Sequence, residues 1–329
     1  MENPTDICGT VHDVIIIGAG PCGLAVAARL CEHTPSAIFT DKEHRRYHWI
    51  RKHSSQMAIK HKKDRSVMML QQPRLGRKYS TLLLNATGDQ WIARWNRLFK
   101  TFEITHLRSP MFIHVDPGDR DGLLAYTHDQ DKERELEKIR ECVGKEISNH
   151  RKKKRARSRK QQPHCEVVID ERDRKDYFTP SRTLFPEHCE CIVNRYGLRR
   201  GLIRQENMQD IKYSDIENAS GTDERLFTVK TNKGRHYVRT VVLAVGPGNP
   251  PAAPGLEAAP RIEGACHSMR IQRFPDPSVQ AKIDAKRPTN VMVVGGGLIS
   301  AQIDDLAIKH GVTKAWHIMR GLLKGILSF

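Results

Sequence analysis

Two segments of the chain share one design: an apolar run, a cluster of glycines, then a helix-forming run. The first is HDVIIIGAGPCGLAVAARLC (12–31) and the second is NVMVVGGGLISAQIDDLAIKHG (290–311). The apolar runs are short, rich in β-branched residues and stopped by glycine, so they read as buried strands. The runs after the glycines hold no breaker and place apolar residues at helical spacing. Strand, tight turn and helix in that order open a βαβ unit on a parallel sheet, which makes the chain α/β.

The first turn is Gly-x-Gly-x-x-Gly, with Gly18, Gly20 and Gly23. In such a turn the first glycine bends the chain. The second lets backbone approach a pyrophosphate, and the third packs helix on strand. The phosphates then meet free N–H groups and the positive end of the helix dipole. A second strand is expected over 36–40, ending in an acid that holds a ribose hydroxyl. Asp41, eighteen residues past Gly23, stands at that place. In the second turn Gly295, Gly296 and Gly297 are followed by Ser300 in the third-glycine position. Serine is small enough to preserve helix–strand packing. The strand after this helix, KAWHIMR (314–320), ends in Arg320, and arginine there suits the 2′-phosphate of NADPH.

Between the two turns, TVVLAVGPGNPP (240–251) runs a strand into Gly246 and then proline. This resembles the crossing in two-dinucleotide flavoproteins where the chain leaves the FAD domain for the NAD(P) domain. The expected organisation is an FAD-binding domain over 1–245, with a basic insertion near 145–165, and an NAD(P)-binding domain over 246–329. Each would be a Rossmann-like, three-layer unit. Further elements are a helix at 88–100 with Trp91, Trp95, Leu98 and Phe99 facing a core, a charged helix over 128–150, and strands at 225–232 and 234–245.

Composition narrows the function classes. Of 329 residues, 38% are apolar and 28% charged, within the globular range. No run of 18 uncharged apolar residues exists, and Asp13 precedes the most apolar stretch, so neither a membrane span nor a secretory signal is expected. The eight cysteines lack Cys-x-x-Cys or zinc spacing, which points to reduced thiols in the cytoplasm and to no metal site. The net charge of +17 resides in 44–78 and in 151–160, RKKKRARSRK. The latter has no interleaved aromatic residues for base stacking. It reads as a solvated surface segment rather than a nucleic-acid site, with nuclear import as the alternative use.

The order GAGPCGL, VVLAVGPGNPP, GACHSMRI (264–271) and GGGLISAQ resembles the flavin-dependent N-hydroxylating monooxygenases, the lysine and ornithine hydroxylases and their fungal relatives. ITHLRSPMFIHVDP (104–117) and YFTPSRTLFPEHCECIVNRYGL (177–198) are similar to flavin-side segments of that group. The resemblance implies FAD at Gly18, Gly20, Gly23 and Asp41, with Trp49, His53 and Met57 along the flavin. It implies NADPH at Gly295, Gly297, Ser300 and Arg320, with His267 and Ser268 preceding that turn. It implies hydroxylation of a small amine or amino acid. Members of the group continue well past the equivalent of Phe329, so a truncated chain is expected, with apolar strand edges exposed. Two other readings stay open: another FAD/NAD(P)H oxidoreductase, and a non-catalytic nucleotide-binding protein like the oxidative-stress growth inhibitors. No catalytic acid or base and no oligomeric state follow from the sequence.

Overall fold

The computed structural model describes residues 10–33, 35–52, 58–60, 67–69, 79–139, 175–199, 201–217, 223–246 and 264–320. The 145–165 insertion, His53 and Met57 lie outside the described residues. The chain divides into two compact units, one of residues 1–93 and 106–246, the other of 94–105 and 247–329.

The first unit begins with β1 (Val11–Ile17) and α1 (Pro21–Cys31), followed by α2 (Asp41–Lys52). The short hairpin β2 (Ala58–Lys60) and β3 (Val67–Met69) comes next, then β4 (Thr81–Leu84). Helix α3 (Ala93–Thr101) belongs mainly to the second unit. The first unit resumes with α4 (Gly122–Asp129), the pair β5 (Leu136–Lys138) and β6 (Phe178–Pro180), and α5 (Leu184–Arg195). It ends in β7 (Ile203–Arg204), β8 (Met208–Glu217), β9 (Asp223–Thr231) and β10 (Gly234–Leu243). Six strands form one sheet in the order β7-β4-β1-β10-β9-β8. The first four run parallel, and β9 and β8 are antiparallel additions.

Strand β1 is central, so both of its faces are buried and its sequence is continuously apolar rather than alternating. Ile15 and Ile17 join Leu82, Leu84, Val229 and Val238 on one face. On the other, Ile16 faces α1, whose buried side is Gly23, Leu24, Ala27, Ala28 and Cys31. α5 contributes Leu184, Phe185, His188, Cys189, Ile192 and Val193 to the interior. The Arg195 guanidinium reaches the buried Asp116 carboxylate at 2.5 Å, and Asp116 also accepts from Gly118 N–H at 2.9 Å. That pair ties the 110–118 loop to the end of α5.

Two expectations are corrected. Residues 36–40 form no strand: Ser36–Ile38 is a single 3₁₀ turn, and Asp41 opens α2. The cause is a capping box in Thr40-Asp-Lys-Glu43. Thr40 N–H donates to Glu43 Oε2 at 2.9 Å, and Thr40 Oγ1 accepts from Glu43 N–H at 3.4 Å. The strand beside β1 is instead β4. The helix expected over 128–150 does not form over its described part: α4 stops at Asp129, and Leu136–Lys138 pairs with β6 as a strand, while 140–150 lie outside the described residues.

The second unit places β11 (Asn290–Val294) parallel to β12 (Lys314–Ile318), with α6 (Pro277–Asp284) before them and α7 (Leu298–Lys309) between. Phe102, Val293 and Ile303 form its core, flanked by Leu98, Ile104, Ile271, Phe274 and Val291. The opposite face of the strand pair carries Met292, Val294, Trp316 and Ile318, all exposed, Val294 to 74%. The stripe expected over 88–100 is part helix: Trp95 and Phe99 stack at 3.7 Å on α3, whereas Trp91 precedes it and donates to Leu198 O at 3.2 Å.

His188 is 1% exposed, with neither ring nitrogen hydrogen-bonded among the described residues. The rings of His114 and Tyr126 meet it edge-on at 5.7 and 5.5 Å. Burial, with His114 and Arg195 adding, pushes its pKa down from 6.5 to about 3. The unfolded chain therefore binds a proton that the folded chain refuses. Stability from this group is complete above about pH 6.5 and is lost as pH falls toward about 3. Between about pH 7 and about pH 5 the loss should be roughly 2 kcal/mol. His188→Leu should remove that part of the pH dependence in urea unfolding; identical slopes for variant and wild type would contradict it.

Candidate functional site

β1 delivers Gly18 to a point where three parallel strands end together. Gly18 N–H donates to Leu84 O at 2.8 Å, and Ala244 N–H donates to Ile17 O at 2.8 Å. Gly18 has φ +112°, and a Cβ there would lie 2.4 Å from Ala244 O. A Cβ on Gly23 would lie 2.0 Å from Gly18 O. Both glycines are thus required by packing. Gly20 is different: its φ of −79° suits any residue, and nothing stands within 4 Å of where its Cβ would be. It caps α1, and Pro21 occupies the first helical position, where a missing N–H costs nothing. The first-turn N–H groups of Cys22 and Gly23 follow. The turn has the form of an anion cradle, and a side chain at Gly20 would project into its open space.

The position beyond the strand next to β1 belongs to Asn85, not Asp41. Asn85 Nδ2 donates to Gly88 O at 2.8 Å, and Asn85 N–H donates to Arg204 O at 3.0 Å. Ile92 N–H donates to Ala19 O at 2.7 Å and closes this loop against the glycine turn. The bounded TLLL run followed by Asn-Ala-Thr-Gly was the available signal for this strand. Trp49 lies on α2 and is 56% exposed.

In the second unit Gly295 has φ +146° and donates its N–H to Ile318 O at 2.9 Å. A Cβ there would lie 2.7 Å from Ser300 Oγ, so Ser300 fills the place of a third glycine in contact with the first. Gly297 caps α7, whose first turn carries no acid. Gly296 and Gly297 have no neighbour closer than the 4.0 Å of Met319. Arg320 is exposed just past the end of β12. His317 joins Asp304 at 2.6 Å and Gly295 O at 2.5 Å. His267 caps a 3₁₀ turn, accepting from Met269 N–H at 3.2 Å, and Ser268 begins that turn.

A cluster that the sequence did not expose lies elsewhere in the first unit. Atoms of His44, Asp119 and Asp121 come within 4.8 Å of one another, a spacing that could hold a metal ion. His44 Nε2 is 3.0 Å from Asp119 Oδ1. Seventy-five positions separate His44 from Asp119, so no local motif announces the pair.

No protein-family model matches the chain, and no curated protein matches it. The solved structures that it resembles include oxidoreductases. One is a cyclohexanone monooxygenase variant from Rhodococcus sp. Phi1 bound to NADP+, at 16% identity and a TM-score of 0.38, over 94% of this chain and 38% of that one. Another is a ferredoxin–flavin thioredoxin reductase from Clostridium acetobutylicum, at 13% identity and a TM-score of 0.24, over 96% of this chain and 62% of that one. The chain spans less than two thirds of either protein's length. At these scores neither likeness decides function; the geometry has to.

The glycines of the first turn sort by stability. Gly18→Ala adds an unfavourable φ and a backbone clash and should cost at least the ~1–3 kcal/mol of a strained backbone position. Gly20→Ala should leave the melting temperature within the scatter of the wild type. Equal melting temperatures for Gly18→Ala and wild type would refute the packing assignment.

Proposed function

We propose that the chain is an FAD- and NADPH-dependent oxidoreductase of the N-hydroxylating monooxygenase type, acting on a small amine or amino acid. FAD is assigned to the Gly18–Gly23 turn and NADPH to the Gly295–Ser300 turn. The observation that carries this is the sorting of the glycines. Gly18, Gly23 and Gly295 have neighbours that forbid a side chain, whereas Gly20, Gly296 and Gly297 have none. Backbone bared toward open space at a helix N-terminus is what a pyrophosphate requires.

When bound, FAD would accept hydride from NADPH and react with oxygen. The chain's residues position and bind. The first-turn N–H groups of α1 and α7 face the phosphate sites with the positive ends of their helices. Ser300 keeps α7 close to β11. Asn85, at the end of β4, offers an amide oxygen to a ribose hydroxyl where a charged acid was expected; a neutral group there holds the sugar without repelling the phosphates. Arg320 supplies the charge for a 2′-phosphate. The N-hydroxylating assignment and the amine substrate rest on the resemblance of GAGPCGL, VVLAVGPGNPP and GGGLISAQ to that group.

Gly20→Val should abolish FAD retention in equilibrium dialysis while leaving the melting temperature unchanged. Full occupancy in the variant would remove the first turn as the flavin site. Losing one charge-assisted pair costs roughly 1.5–3 kcal/mol, so Arg320→Ala should weaken NADPH binding about 10- to 150-fold and leave NADH binding unchanged. Equal affinity of the wild type for NADPH and NADH in calorimetric titration would contradict the arginine's role.

A further inference from the structure

β12 sets His317 opposite Val293 of β11, on the face of the strand pair that packs against α7. Its Nδ1 lies 2.6 Å from Asp304 Oδ2 on α7, and its Nε2 lies 2.5 Å from Gly295 O. A carbonyl oxygen only accepts, so Nε2 carries a hydrogen. Nδ1 then either donates to a carboxylate from an imidazolium or accepts from a carboxylic acid. Either way the pair holds one proton more than a neutral imidazole beside an ionised Asp304 would. Burial pushes the Asp304 carboxyl upward and His317 opposes this. Asp304 Oδ1 is buried with no hydrogen bond among the described residues.

The bond to Gly295 O has a geometric consequence. Gly295 is held at both ends, N–H by Ile318 O and C=O by His317. In a planar trans peptide the C=O of one residue and the N–H of the next point in opposite directions. Fixing the Gly295 carbonyl toward His317 therefore turns the Gly296 N–H away from it, toward the open side of the turn.

We propose that Asp304 and His317 are positioning residues of the second glycine turn, and that the proton they share clamps the Gly295 carbonyl so that the Gly296 N–H is aimed at a dinucleotide phosphate. The inference rests on the reading that this turn takes NADPH. Loss of the shared proton leaves one hydrogen on the ring, and the carboxylate, a charged acceptor, keeps it at Nδ1. Nε2 then presents a lone pair to the Gly295 oxygen and the clamp opens. Affinity consequently falls as pH rises through the titration of the pair. β11 and the glycine turn carry no titratable side chain. On α7 the neighbouring Asp305 is paired with Lys309 at 2.6 Å, and on β12 Lys314 lies over the Trp316 ring at 3.8 Å. Asp304 is thus the group that sets the proton on His317.

Asp304→Asn separates this from a purely structural role. The asparagine amide can donate to Nδ1, leaving a neutral ring with hydrogen on Nε2, so the clamp persists without a titrating proton. Calorimetric titration of NADPH over a pH series reads the difference. Because the ligand is the same for every variant, its own phosphate titration cancels. The wild type should lose affinity with rising pH relative to Asp304→Asn, which should match it at low pH. His317→Phe should bind roughly 2- to 12-fold more weakly at low pH, the loss of one hydrogen bond, and should also lack the pH step. Nitrogen-resolved NMR of the His317 ring should show hydrogen on Nε2 in both proteins at low pH and its loss from Nε2 at high pH in the wild type alone. Coincident pH profiles for wild type and Asp304→Asn, with binding intact, would overturn this inference alone. Absence of NADPH binding by the wild type at every pH would overturn the proposed function and this inference with it.

Discussion

The first unit depends on a backbone contact that excludes a side chain. β1 ends at Gly18, whose Cα sits so close to Ala244 that a Cβ would fall 2.4 Å from the Ala244 oxygen. The same residue's carbonyl leaves no room for a Cβ on Gly23. This places the start of α1 over the ends of β4, β1 and β10, which hydrogen-bond at that level through Leu84 O and Ala244 N–H. The sheet could form with other residues in its interior, since apolar volume is tolerant of exchange. The close approach at Gly18 is not tolerant, because backbone cannot yield as a flexible side chain can. Bringing strand ends and a helix N-terminus together this tightly produces a patch of bare backbone, and bare backbone at a helix N-terminus is chemically useful toward anions.

The second unit reaches the same arrangement with different chemistry. Ser300 replaces a glycine and its hydroxyl lies against Gly295, so the turn is closed by a side chain instead of by backbone alone. His317 Nε2 then lies 2.5 Å from the Gly295 oxygen. Among the described residues two strands make the sheet here, and one face of the pair is exposed at Met292, Val294, Trp316 and Ile318. Parallel strands ordinarily bury both faces. Among the described residues the core of this unit lies on the α7 side, built around Phe102, Val293 and Ile303. Electrostatics in the first unit are local by comparison. The Asp116–Arg195 pair ties a loop to the end of α5, and the Glu206–His236 contact of 2.7 Å ties the segment between β7 and β8 to β10.

What was legible in the sequence follows from range. β1, α1, β10, β11, α7 and β12 were readable because each is announced within about a dozen residues by apolar runs meeting glycine. The 36–40 strand failed where two local signals competed. Five residues of modest apolarity lost to the Thr40–Glu43 capping box, which was present in the sequence and fixes the start of α2. With that strand went the argument for Asp41, and Asn85 emerged only once β4 was seen to pair with β1. β4 was hidden because a long basic stretch separates it from α1, and βαβ spacing assumes a short connection. The His44–Asp119 and Asp304–His317 contacts were illegible for another reason: each joins residues far apart in the chain or on separate elements, and only the folded geometry brings them together. The charged 128–150 segment shows the limit of composition, since Glu and Lys favour helix yet Leu136–Lys138 takes its place beside β6.

The proposed function has two bare-backbone turns on one chain serve two nucleotides that exchange electrons. Its most direct test is anaerobic mixing of FAD-reconstituted protein with NADPH while the visible flavin absorbance is followed. Flavin should stay with the protein through gel filtration, and its absorbance should bleach on addition of NADPH. Retained flavin that NADPH does not reduce would contradict the pairing of the two sites. Failure to retain flavin at all would contradict the assignment of the Gly18–Gly23 turn.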